Sequence, residues 1–169
     1  MKVFTACLAA LAYAVPAGAA DPEIVHLPAT ELAKYHVALA QKIKDEPRTE
    51  IYRQGGMSAS SPFPESEDRN HYFSVLHRSG YSYAESHDVK NDIYVVIAGA
   101  GTLLLGGEMQ QKLEVPGRPG EWRSPKVKGG KKYPLVKGDL INVPAKVPHQ
   151  WLLSDDESIS YVIVKVLAK

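Results

Sequence analysis

From His71 onward the chain breaks into short runs of β-forming residues closed by glycine and other turn formers, and this feature decides the class of fold. The runs are His71 to Arg78, Ser82 to His87, Asp92 to Ala98, Thr102 to Leu105, Gln110 to Val115, Lys132 to Val136, Leu140 to Val143, Gln150 to Leu153 and Ile159 to Val166. Roughly nine strands joined by tight turns cannot form a parallel sheet, which needs long crossovers, so the expectation is an all-β antiparallel sandwich or barrel. Ile93-Tyr94-Val95-Val96-Ile97 is apolar at every position, as a central strand covered on both faces must be. The outer cover is then a helix or a second copy of the chain, and the second case makes a homodimer.

One helix precedes the strands. Leu32, His36, Leu39 and Ile43 recur at steps of three and four, with Thr30 placed to cap the start and Pro47 to stop the end. Gln54 to Asn70 is rich in Gly, Ser and Pro without a period and reads as a connecting loop. Pro116 to Gly130, carrying Trp122, reads as a second long loop, a lid or a disordered segment.

The first twenty residues look like a secretory signal. Lys2 precedes the apolar run Val3 to Val15, and the run ends in the small residues Pro16-Ala17-Gly18-Ala19-Ala20. Cleavage there removes Cys7, the only cysteine, and with it disulfides, thiolate catalysis and Cys-ligated zinc. The run falls short of the roughly 20 residues that span a bilayer, so the expectation is an exported protein without a membrane anchor. The domain plan is a signal over 1–20, a helix and connecting loop over 21–68, and a β-barrel over 69–169. With 20 Lys+Arg against 19 Asp+Glu and no basic block, the chain has no electrostatic footprint for nucleic acid.

Two stretches carry chemistry. In Glu85-Ser86-His87 and Asp92-Ile93-Tyr94, period two puts Glu85 with His87 on one strand face and Asp92 with Tyr94 on one face of the next. In Gly138 to His149 a turn after an apolar strand delivers His149, followed on the same face by Trp151. Two imidazoles and two carboxylates then converge on one cavity if these faces point inward.

These residues resemble the two motifs of the cupin superfamily. The first motif is a glycine, His-x-His, three or four residues, a glutamate, six residues and a glycine; the second is a glycine, five residues, Pro-x-Gly, two residues and a histidine. His87 takes the second histidine of the first motif, Asp92 the glutamate and Gly99 the closing glycine. Gly138, Pro144 and His149 fit the second motif. Three positions depart from the pattern: Glu85 stands for the first histidine, Asp92 is one methylene shorter than glutamate, and Lys146 replaces the second-motif glycine. The resemblance implies a cupin-type jelly-roll β-barrel holding a divalent metal on Glu85, His87, Asp92 and His149, and it names no reaction.

Imidazole and carboxylate without thiolate suit Fe(II), Mn(II), Ni(II) or Zn(II). The contrary reading is a barrel whose site has lost its metal. Tyr94 stands as a catalytic acid or base beside the cation or, with Trp151, as wall of the substrate pocket. His77 is a reserve ligand; His26, His36 and His71 are surface or structural. The cations Arg118, Arg123, Lys126, Lys128, Lys131 and Lys132 read as a solvated loop face. Two functions follow: an exported metal-dependent enzyme acting on a small organic molecule by dioxygenation, isomerisation or lyase chemistry, or a non-catalytic module that binds a small ligand in the same barrel.

Overall fold

The computed structural model describes residues 24–45 and 55–168. Its elements are α1 (Ala29–Asp45), β1 (Gly55–Phe63), β2 (His71–Gly80), β3 (Ala84–His87), β4 (Lys90–Leu105), β5 (Glu108–Gln110), β6 (Leu113–Glu114), β7 (Glu121–Ser124), β8 (Lys126–Lys128), β9 (Lys131–Val136), β10 (Leu140–Val143), β11 (His149–Leu152) and β12 (Ser158–Leu167). All pairings are antiparallel. β1, β2, β12, the first half of β4 and β10 lie side by side in one sheet. The second half of β4 lies between β9 and β11, and β3, β7 and β6 extend that second sheet. The inner faces enclose a core of Leu76, Tyr94, Val96, Leu103, Leu135, Val143, Trp151, Ile159, Tyr161 and Ile163. Burying each large side chain contributes about 1.5–3 kcal/mol. The result is a curled all-β jelly roll with one N-terminal helix, as the glycine-punctuated runs require.

β4 belongs to both sheets. Two separate runs were expected, Asp92 to Ala98 and Thr102 to Leu105, and they form one bent strand of 16 residues. The corner is built by a bulge: partners step from Ser160↔Ala98 to Tyr161↔Val96, leaving Ile97 as the extra residue. Gly99 follows at φ +74°, and a Cβ there would stand 2.2 Å from the Ser158 carbonyl oxygen. That close approach is the physical reason for a glycine at this motif position.

α1 lies on the outer face of the first sheet. It buries Leu39 and Ile43, two of the residues that its period marks. The helix begins at Ala29, ahead of the expected cap Thr30; the Pro28 carbonyl accepts from the amides of Glu31 at 2.9 Å and Leu32 at 3.1 Å. Ser58 Oγ donates to the Leu39 carbonyl at 2.6 Å, and His36 meets Ser160 Oγ at 2.8 Å. The expected stop Pro47 and the segment 1–20 with Cys7 lie outside the described residues. No helix among the described residues is long and apolar enough to cross a membrane.

Both expected loops contain strands. Gln54 to Asn70 contains β1, which pairs with β2 from Gly55↔Gly80 to Phe63↔Phe73. Its serines hide the period, because an edge strand is held by backbone hydrogen bonds whatever its side chains are. The barrel therefore extends back to Gly55. Pro116 to Gly130 contains β7 and β8 instead of a lid; β7 docks on β3 through Ala84↔Ser124 to His87↔Glu121. Trp122 Nε1 donates to Asp88 Oδ1 at 3.0 Å. The run Gln110 to Val115 divides into the ends of β5 and β6.

Candidate metal centre

Three strands bring the predicted residues to one end of the barrel. β3 carries Glu85 and His87, β4 carries Asp92 and Tyr94, and β11 carries His149 and Trp151. β11 lies between β3 and β4, with His149 opposite both Glu85 and Leu105. His87, Asp92, Tyr94, His149 and Trp151 are all buried. Glu85, His87 and His149 have ligand atoms within 4.8 Å of one another.

Each imidazole is anchored through its far nitrogen. His87 Nδ1 lies 2.6 Å from Glu121 Oε2, and His149 Nδ1 lies 3.1 Å from the Val147 carbonyl, to which it donates. Such anchors orient metal-binding histidines and leave the other nitrogen as the donor atom. Both Nε2 atoms point to the same place, with the rings 5.2 Å apart. His149 Nε2 is buried and has no hydrogen-bond partner. An orphaned buried nitrogen is costly unless something else satisfies it.

The spacing of the donor atoms suits a cation. Asp92 Oδ2 stands 3.1 Å from His87 Nε2 and 3.5 Å from His149 Nε2, and Glu85 Oε2 stands 4.0 Å from each imidazole nitrogen. Ligands about 2.1 Å from one ion are roughly 3.0–3.4 Å apart in octahedral or tetrahedral arrangement. Asp92 reaches the site in spite of its missing methylene, and Glu85 fills the place of the absent histidine.

The charges around the donors are strongly organised. Burial would raise the Glu85 carboxyl, but Arg78, then Arg123 and His149, hold it well below the usual carboxylate range. Arg78 Nη2 donates to Glu85 Oε1 at 2.8 Å, and Arg123 Nη2 lies 3.7 Å from the same oxygen, so Oε2 is the oxygen left for the imidazoles. Burial likewise opposes ionisation of Asp92, but the imidazoles of His149 at 3.5 Å and His87 at 3.1 Å, together with the Lys165 charge, hold its carboxyl far below the usual range. Glu121 is pulled down to about 2 against its burial, first by the His87 hydrogen bond. His87 is raised: burial disfavours its charge, while Asp92 and Glu121 favour it.

Tyr94 is a donor in this arrangement. Its hydroxyl donates to Asp92 Oδ2 at 3.1 Å, and burial, then the Asp92 charge, push its pKa well above the ordinary value. Trp151 packs in the core, stacked on Tyr161 at 5.3 Å and edge-on to Tyr94 at 5.8 Å, and of the two expected pocket residues only Tyr94 lines the cavity in front of the site. His77 is not a reserve ligand. Its Nδ1 meets Ser160 Oγ at 2.7 Å beneath α1, on the outer face of the sheet.

Glu121, Lys165 and Arg78 were missed by sequence reasoning. Lys165 Nζ donates to Asp92 Oδ1 at 2.6 Å and lies 2.9 Å from His87 Nε2. The available signal was the inward face of β12, Ile159, Tyr161 and Ile163, on which Lys165 continues period two. Arg123 and Arg118, expected on a solvated face, line the cavity in front of the site. That cavity measures about 620 Å³ and is walled also by Met57, Leu76, Tyr161 and Ile163.

Lys146 explains one departure from the motif. It sits at φ +67°, the left-handed conformation that the motif's glycine adopts without strain, and its amide donates to the His87 carbonyl at 2.7 Å. The turn keeps its shape with a costlier residue.

No family model matches the sequence, and no curated protein matches it. Solved structures do. A cupin 2 conserved barrel domain protein from Rhodopseudomonas palustris is 16% identical, with a TM-score of 0.49 over 73% of this chain and 70% of its own. A protein from Thermotoga maritima described as a predicted oxalate decarboxylase is 15% identical, with a TM-score of 0.46 over 72% of this chain and 90% of its own. A cupin protein from Bacteroides fragilis is 15% identical, with a TM-score of 0.42 over 73% and 86%. The strand order of this chain, with its bulged corner at Gly99 and its turn into His149, is that of an antiparallel jelly-roll barrel.

Proposed function

We propose that the chain is an exported metal-dependent enzyme of cupin type that acts on a small organic molecule. A single divalent cation, Fe, Mn, Zn or Ni, is held by Glu85, His87 and His149 with Asp92 beside them. The observation that supports this reading is the pair of anchored imidazoles whose Nε2 atoms face each other, one of them buried without a partner. The cation supplies Lewis acidity or a site for oxygen. The chain itself orients the ligand set through Glu121, Val147 and Arg78, sets the Tyr94 hydroxyl against Asp92, and admits the substrate through the cavity before Arg123.

Metal content measures the proposal. Protein purified without added metal should carry close to one equivalent by elemental analysis, and His87→Ala or His149→Ala should lose most of it while His36→Ala keeps it. Equal content in the three variants would remove the assignment. Glu85→Gln should weaken binding and Glu85→His should retain it with altered preference.

The charge pairs Arg78–Glu85 and Lys165–Asp92 favour a second reading, a metal-free module binding a small ligand, because they balance the carboxylates without a cation. A folded protein that takes up none of the four metals and still binds small organic anions in the cavity would favour it. Export and pairing as a homodimer complete the proposal: the mature chain should begin near Ala20 or Asp21 by intact mass, and sedimentation should show the dimer.

A further inference from the structure

The inward face of β12 runs Ile159, Tyr161, Ile163, Lys165, so a lysine stands where the pattern of the barrel interior would place another apolar side chain. Its neighbour across the strand pair is Asp92 itself. The Lys165 side chain is only 14% exposed, and its ammonium is close to two of the proposed donor residues, 2.6 Å from Asp92 Oδ1 and 2.9 Å from His87 Nε2. No sequence motif requires it there.

We propose that Lys165 is a built-in competitor of the cation, so that the centre has two exclusive states, one closed by the ammonium and one by the metal. The inference rests on the metal reading above and adds its regulation. With the Nδ1 proton donated to Glu121, the His87 ring offers a single lone pair, at Nε2, beside Asp92 Oδ2 at 3.1 Å. That position serves the Lys165 ammonium or a divalent ion, never both. The charge argument agrees, since an ammonium and a doubly charged ion within a few ångströms in a buried site repel strongly. When the ion enters, the lysine must leave.

It has somewhere to go. Lys165 lines the 620 Å³ cavity before the centre and also a neighbouring cavity of about 400 Å³ whose wall includes Glu65 and Glu67. The four-carbon stem swings without moving β12, and the displaced ammonium exchanges Asp92 for those carboxylates. In the metal-free protein Lys165 keeps Asp92 neutralised; in the loaded protein it becomes part of the cavity wall.

The test uses the full mature chain, stripped with a chelator, as wild type and as Lys165→Met, which keeps the stem and removes the charge. Zn(II) is titrated in competition with a chromophoric chelator, and melting is followed in EDTA. Lys165→Met should bind Zn(II) at least tenfold more tightly, melt lower in EDTA and gain more on metal addition. A variant that binds Zn(II) more weakly makes Lys165 a helper of the ion and overturns the proposal. Equal affinity overturns it while leaving the metal reading intact, and Zn(II) uptake by neither protein overturns both. A readout on wild type needs no variant: acetic anhydride labelling of Lys165, read by mass spectrometry, should rise severalfold when Zn(II) is added. Unchanged labelling of a protein that has bound Zn(II) refutes the displacement.

Discussion

Lowering the pH from 7 to 4 should loosen the contact between α1 and the barrel through one buried histidine. His77 on β2 and His36 on α1 share the Ser160 hydroxyl, at 2.7 and 2.8 Å, with their rings 5.7 Å apart. A hydroxyl has one proton, so it donates to one ring and accepts from the other; two imidazolium rings leave it nothing to donate to. His77 is accordingly lowered from 6.5 to about 4, by burial first, then by the charges of His36 and Lys44. The folded protein thus binds fewer protons than the unfolded chain between these values. Its stability is unaffected above about pH 6.5, falls as pH drops toward 4, and stops falling below. The full displacement from 6.5 to about 4 is worth about 3 kcal/mol. Solvent reaches the half-buried His36 side of the cluster, and screening reduces this to about 1–2 kcal/mol. Urea unfolding of wild type and His77→Gln at pH 7, 6, 5 and 4 isolates the effect, since the amide keeps a bond to Ser160 and does not titrate. The stability difference should shift by about 1–2 kcal/mol in favour of the variant at pH 4. A difference independent of pH refutes the reasoning.

Three experiments test other parts of the argument. Gly99→Ala forces a Cβ within 2.2 Å of the Ser158 carbonyl at positive φ, and it should cost about 3 kcal/mol or more, seen as a melting temperature lower by roughly 6–12 °C. Lys146→Gly relieves the left-handed strain at φ +67° and should raise stability by up to about 1 kcal/mol in urea unfolding. Arg78→Met strands the Glu85 carboxylate in the interior at a cost of about 3–5 kcal/mol, and adding Glu85→Gln should recover most of it in a double-mutant cycle.

The site was more legible than the scaffold that holds it. Period two alone predicts that Glu85 shares a face with His87, and Asp92 with Tyr94, because side-chain direction along a strand is local. The motif turn marked His149 for the same reason. β1 escaped notice because Ser58, Ser60 and Ser61 give no apolar alternation, and its place in the sheet is set by β2. β7 escaped because glycine and proline surround it, although it delivers Glu121 and Arg123. Lys165 and Arg78 escaped for a different reason. A single cation in a strand reads as solvent-facing until the carboxylate opposite it is known, and Asp92 and Glu85 are distant in sequence or on another strand.

Because β4 runs without a break through both sheets, the two halves of the barrel share a backbone at the point where the centre is built. Asp92 and Tyr94 lie on one side of the Gly99 corner, and the ladder to β9 and His149's own strand lies on the other. A change of angle at the corner therefore moves the Asp92 carboxylate relative to the His149 imidazole, like the two arms of a caliper about its pivot. The strand that gives the barrel its shape is also the gauge that sets the spacing between carboxylate and imidazole, so mutations far from the donors but near residues 97–101 should be felt at the centre as altered geometry.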